Sequence, residues 1–189
     1  IQYSDDMMVS CTCQEELHKF LTALCARFEL NVEPHAHWYL QAFLSRDRYG
    51  NISLDQSRYG KVIVECYIPN APATPSDEDL AKFASPLPYG FRFTSSDNST
   101  SVDEVKILEH EFGFRIIEVA GSLNYLANTA FRLIYGIRKL CRHTRLPGRP
   151  HFQAALHMLH HLRCYPVAPL KFYCDASDSP LAAHLASNN

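Results

Sequence analysis

Five of the chain's eleven prolines, Pro69, Pro72, Pro75, Pro86 and Pro88, fall between Ile68 and Thr100, in a stretch otherwise rich in Ser, Asp and Asn. Proline fixes φ and removes a backbone donor, so this stretch cannot hold a long helix or strand. It reads as a linker or an extended loop over the surface, and it parts a strand-bearing front from a helical back. At 189 residues and 47% hydrophobic content the chain can support one well-cored domain or two small ones. Its longest apolar run is a few residues, far below the roughly 20 of a membrane helix, and no charged-then-apolar leader opens it. A soluble protein with no membrane association is expected. Seven cysteines, an odd number without disulfide-framework spacing, point to reduced thiols inside a cell, with cytoplasm and nucleus not distinguished.

In the front part, Ile1 to Val9 sets β-favouring residues on both sides of Asp5-Asp6. That predicts a hairpin whose second strand runs from Met7 to Cys11. Leu17, Phe20, Leu21, Leu24, Cys25 and Phe28 recur at helical spacing after a candidate cap at Thr12, predicting an amphipathic helix over 14–28 with one buried face. Trp38 to Leu44 and Ile52 to Leu54 flank the turn-rich Arg48-Tyr49-Gly50-Asn51, a second hairpin. Gln56 to Tyr67 reads as a helix turning Tyr59, Val62, Ile63 and Cys66 inward.

In the back part, Ser101 to Phe112 is helical through Val105, Leu108 and Phe112, with Asp103 and Glu104 suited to its first turn and Gly113 ending it. Between Ile116 and His143 two faces are expected, one of Ile117, Ala120, Leu123, Asn124 and Ala127, the other of Phe131, Ile134, Ile137, Leu140 and Cys141. After the Pro147-Gly148 break comes a helix over 151–162 with Phe152, Ala155, Leu156, Leu159 and Leu162 inward. Leu170 to Cys174 alternates like a strand that delivers Asp175. The fold class expected is α+β, with more helix than strand.

The net charge of −2 conceals an uneven distribution. No Asp or Glu occurs from Val119 to Cys174, while Arg132, Arg138, Lys139, Arg142, Arg145, Arg149, Arg163 and Lys171 all do. Such a run is the footprint of phosphate-backbone contact, or equally a solvated basic face balanced by the acidic front. His157, His160 and His161 share one helical face, but no fourth ligand has suitable spacing. A polar face partly buried against the linker is therefore favoured over zinc, and Cys11-x-Cys13 lacks a second pair. Phe83, Tyr89, Phe91 and Phe93 could stack on bases, but packing anchors for the loop are favoured.

Adjacent carboxylates at a tight turn suit two-metal nucleotidyl transfer, in which acidic ligands hold ions about 3.5–4 Å apart. A solvated acidic turn is the ordinary alternative for Tyr3-Ser4-Asp5-Asp6. In order behind it stand Arg27-Phe28-Glu29-Leu30, Trp38-Tyr39-Leu40-Gln41, Ser45-Arg46-Asp47 and Ile52 to Tyr59. Then come Ser85-Pro86-Leu87-Pro88, Gly121-Ser122-Leu123-Asn124-Tyr125-Leu126, Pro147 to His151, Leu159-His160-His161-Leu162 and Phe172-Tyr173-Cys174-Asp175. This succession, spanning nearly the whole chain, resembles the copia-type retrotransposon reverse transcriptases.

The resemblance implies a fragment of an RNA-directed DNA polymerase. It divides the chain into a palm remnant (1–67), a Pro/Ser-rich crossing loop (68–100), a helical thumb and connection region (101–166) and the first strand of a truncated RNase H domain (167–189). It makes Asp5, Asp6 and Asp175 the catalytic carboxylates that hold Mg2+ in the complete enzyme. Tyr3 becomes the aromatic beside them, and Trp38, Tyr39, Leu40 and Gln41 the start of the primer-positioning hairpin. Arg138, Lys139, Arg142 and Arg145 are implied to rest on the backbone of an RNA or DNA template–primer duplex. An upstream palm and fingers segment of the same polyprotein is the implied partner. Departures are Gln41 in place of glycine and Thr129-Ala130-Phe131-Arg132-Leu133 in place of Thr-Arg-Pro-Asp-Ile. These residues lack the upstream palm aspartate and the fingers, and Asp178 is the only acid after Asp175. The chain alone is therefore expected to be inactive; a non-catalytic nucleic-acid-binding remnant using the helices from Phe131 to Arg163, or a decayed element product, are the alternatives.

Overall fold

The computed structural model describes residues 2–3, 6–7, 9, 11–33, 37–39 and 42–174. Their architecture is α+β, with seven α-helices, a four-stranded antiparallel sheet and a separate two-stranded ribbon among the described residues.

The ribbon pairs β1 (Gln2–Tyr3) with β2 (Asp6–Met7), Tyr3 opposite Asp6. The second strand thus begins one residue earlier than expected, with Asp6 on the ladder, and Val9 and Cys11 of the expected span lie outside any strand. Helix α1 (Gln14–Cys25) starts from Cys13 rather than a Thr12 cap and stops a turn before Phe28. Its apolar stripe is only partly covered: Leu17, Leu21 and Leu24 are half-buried and Phe20 is exposed. Periodicity marks which face is apolar, but burial needs a surface to receive it.

The expected strand from Trp38 to Leu44 is itself a hairpin, β3 (Trp38–Tyr39) against β4 (Ala42–Arg46), with Tyr39 opposite Ala42. β4 then turns through Asp47 to Asn51 into β5 (Ile52–Asp55). The Asp47 carboxylate accepts from the N–H groups of Tyr49 (2.9 Å) and Asn51 (3.0 Å), which holds the turn. The fourth strand, β6 (Leu170–Phe172), lies antiparallel to β5, Leu170 opposite Leu54. Cys174 reinforces this return by donating its N–H to Asn51 Oδ1 at 3.0 Å.

Helix α2 (Ser57–Tyr67) buries Gly60 and Ile63 against α5 (Ile116–Leu126) and α7 (Arg149–Cys164), leaving Val62 and Cys66 to solvent, unlike the expected inward pair. The segment after α2 is a strap that holds α3 (Asp77–Lys82), capped by Ser76, and buries Phe83 on α7. Phe91 and Phe93 are half-buried, whereas Tyr89 projects fully into solvent. Helix α4 (Val102–Phe112) takes its N-cap bond from Ser101 and ends at Gly113, whose φ of 74° is the left-handed conformation that glycine enters without a Cβ penalty.

In α5 the buried stripe is Ile116, Val119, Ala120, Leu123 and Leu126, one position out of phase with the expected Ile117 and Asn124 face. Helix α6 (Ile134–Cys141) follows a 3-10 turn and buries Gly136, Ile137 and Leu140. The hydrophobic core is built from α2, α4, α5, α6 and α7, with Phe152, Met158, Leu159 and Leu162 of α7 at its centre. Of the sheet, only Ala42 is buried. No helix among the described residues is long and apolar enough to cross a membrane.

Candidate nucleic-acid interface

Folding divides the eight basic residues of the acid-free run into two sets. Arg132 donates to the carbonyls of Tyr165 and Pro166 just past the end of α7, where terminal carbonyls need donors and the helix dipole favours a cation. Arg149 forms a two-pronged pair with Glu111 of α4 at 2.5 and 2.6 Å. Arg163 is buried, donating to Asp79 at 2.7 Å and to the Pro72 carbonyl at 3.0 Å. All three are engaged within the fold, Arg163 buried and Arg132 and Arg149 still exposed.

The other set is Arg138, Lys139, Arg142 and Arg145, with Lys171 apart on β6. The α6 stripe Gly136, Ile137 and Leu140 turns into the core, so Arg138 and, one turn on, Arg142 face solvent. Lys139 is half-buried with its ammonium 5.6 Å from the centre of the Tyr135 ring. Arg145 is exposed on the loop to α7. That loop is pinned to the strap: Ser99 donates its N–H to the Leu146 carbonyl (3.0 Å) and its hydroxyl to that of Pro147 (2.8 Å). Among the described residues none of the four makes an ion pair.

Two aromatic side chains belong to this surface and were not expected there. Phe131 is 57% exposed and Tyr135 65% exposed. Phe131 counted as an inward residue by spacing, but the 3-10 turn over Phe131–Leu133 buries Leu133 in its place. Tyr135 was legible as an outward residue, since it is out of phase with Ile134, Ile137 and Leu140.

The remaining expected site residues are dispersed. Tyr3 and Asp6 oppose each other in the ribbon, while Asp5, Leu40, Gln41 and Asp175 lie outside the described residues. Trp38 and Tyr39 form β3, in a different sheet from the ribbon. Trp38, Arg58, Tyr59 and Val62 line an open cleft of about 610 Å³, with the Arg58 guanidinium 5.8 Å from the Trp38 ring centre. Tyr59 packs edge-on against Tyr125 at 5.3 Å, and burial pushes its phenol up.

The histidine row is structural. His161 Nδ1 donates to the Phe83 carbonyl at 2.7 Å and His157 Nε2 to that of Ser85 at 3.0 Å. His160 stacks on Phe83 with ring centres 4.7 Å apart. This is the polar helix face against the linker that spacing suggested. Among the described residues no group of three or more His, Cys, Asp or Glu side chains is placed to hold a metal ion.

Comparisons with protein-family models, with curated proteins and with solved structures each find no match to this chain.

Proposed function

We propose that the chain is a fragment of a copia-type reverse transcriptase whose own competence is to hold a nucleic-acid backbone on α6, without catalysing nucleotidyl transfer. In this reading Tyr3, Asp5 and Asp6 belong to the palm hairpin, the β3–β5 ribbon to the primer-positioning element, and α4–α7 to the thumb and connection region. Asp175 would lead the RNase H strand. In the complete enzyme the carboxylates would bind Mg2+, which stabilises the charge of phosphoryl transfer. A neighbouring pair from one turn does not by itself complete a two-metal site.

The observation that supports the reading best is the surface of α6, where Arg138, Lys139 and Arg142 stand without an ion-pair partner among the described residues. Backbone binding through them and Arg145 predicts a salt dependence with a log–log slope of about −3 to −4, one counterion for each neutralised phosphate. Charge reversal at Arg138, Lys139 and Arg142 together should abolish duplex binding measured by anisotropy at low salt. The same binding should be indifferent to Asp6→Asn. No measurable duplex binding by the unsubstituted chain would refute the reading. A primer-extension assay on the purified chain with magnesium or manganese should give no product, and incorporation would overturn the non-catalytic part.

A further inference from the structure

The surface of α6 carries more than charge. Phe131 and Tyr135, four residues apart, both leave the core side and stand 57% and 65% exposed. Over four residues a helical backbone rises about 6–8 Å, depending on how much of it is 3-10. Arg138 and Arg142 continue the same side of the helix, and the ammonium of Lys139 sits 5.6 Å from the Tyr135 ring centre. Two rings followed by three cations therefore occupy one outward strip, on a helix whose other side is fixed in the core by Leu133, Ile137 and Leu140.

A duplex has little use for such rings. Its bases are stacked about 3.4 Å apart within each strand, and their faces are closed to a side chain approaching from outside. A single strand offers separated bases whose faces any aromatic ring can cover, with phosphates between them for the cations. Resting on the proposed backbone contact at the same site, we propose that the Phe131–Arg142 strip binds single-stranded nucleic acid in preference to duplex, with bases stacked on Phe131 and Tyr135 and phosphates held by Arg138, Lys139 and Arg142. Because every base presents a π face, the preference is for strandedness and not for sequence.

The test uses the whole chain and labelled oligo-dT beside a blunt duplex of equal length, titrated at low salt. Oligo-dT should bind roughly tenfold more tightly. Phe131→Ala with Tyr135→Ala should remove most of that advantage and leave duplex affinity within about threefold, because it spares the phosphate contacts. Tyr135→Phe should bind oligo-dT as the unsubstituted chain does, and Arg138→Glu should weaken both ligands. Both aromatic positions are exposed, and circular dichroism checks that the variants keep their helices. Equal or tighter duplex binding, or an aromatic double variant that binds oligo-dT normally, overturns this inference while the backbone reading stands. Binding to neither nucleic acid overturns both. Vesicles of phosphatidylcholine and phosphatidylserine form a further arm, and binding to them alone, lost in the aromatic variant, would assign the strip to an anionic membrane surface and also overturn both.

Discussion

Gly148 stands where the chain enters α7, and its backbone passes so close to the strap that an added Cβ would run into the carbonyl of Asp97. Its φ of −94° is open to any residue, so the requirement is for space alone. The approach serves a purpose: Ser99, two residues on, donates to Leu146 and Pro147 and ties the strap to the loop that carries Arg145. Gly148→Ala must therefore push backbone aside, and should destabilise the protein by about 2–3 kcal/mol. Gly121, inside α5, has nothing within 4 Å of an added Cβ. Gly121→Ala should stabilise by about 0.5–1 kcal/mol, through helix propensity and the unfolded chain's lost freedom. Urea midpoints of the two variants should thus move in opposite directions, and a shared direction would contradict the account. Pro147-Gly148 was legible in sequence as a helix break, but the need for a bare Cα was not, because the obstructing carbonyl comes from some fifty residues earlier. The same limit governed the arginines: Arg163 and Arg138 look alike along the chain, and only Asp79 and Pro72 separate the buried one from the exposed one.

Helix α7 shows how one element can be both core and clasp. Its Phe152, Met158, Leu159 and Leu162 fill the centre, while His151, His157, His160 and His161 meet the strap through hydrogen bonds and ring stacking on Phe83 and Phe93. Burial is the main cause that holds each of these four histidines below the ordinary value. Lys82, Arg132, Arg163 and the neighbouring histidines push the same way, and the backbone bonds with Gly148, Ser85 and Phe83, together with Asp79 and Asp97, oppose. Folded chains thus keep neutral imidazoles at a pH where unfolded chains, titrating near the reference value of 6.5, have begun to take up protons. Wherever the unfolded state binds more protons, stability rises with pH. The contribution of the row is complete above about pH 6.5 and is lost as pH falls below it. Asp79, Asp97 and Glu111 lie below their ordinary values, held there chiefly by bonds from Arg163, Thr94 and Arg149. They add a second loss below about pH 4. The urea midpoint should fall between about pH 6.5 and 5, and a flat profile there would show that the strap does not depend on neutral histidines. Spacing alone made the row visible as a helix face; its partners, the carbonyls of Phe83 and Ser85, lie in a segment with no periodicity to predict where it lands.

At the level of the whole molecule the helices and the sheet differ in what supports them. The core draws on α2 and α4–α7, and those helices were readable from apolar spacing, joined in α4 by an acidic first turn and the Gly113 stop. The sheet has little core of its own, with Ala42 alone buried, and its closing strand arrives from the far end of the chain to pair Leu170 with Leu54. Alternation identified both strands in the sequence, yet pairing across more than a hundred residues leaves no local trace, and nothing in either strand names the other. Likewise the apolar stripe of α1 was legible while its exposure was not. The difference in support predicts a difference in opening. Amide hydrogen exchange should be slowest in α5 and α7, where opening requires disruption of the core, and faster throughout β3, β4 and α1. Leu170→Pro removes a backbone donor from β6 and disfavours its pairing with β5. The amides of β5 should then exchange at least about tenfold faster, while those of α5 and α7 keep their protection, since the helical core does not rest on the sheet. Loss of protection in both regions together would mean that sheet and helices form one cooperative unit, coupled more strongly than burial suggests.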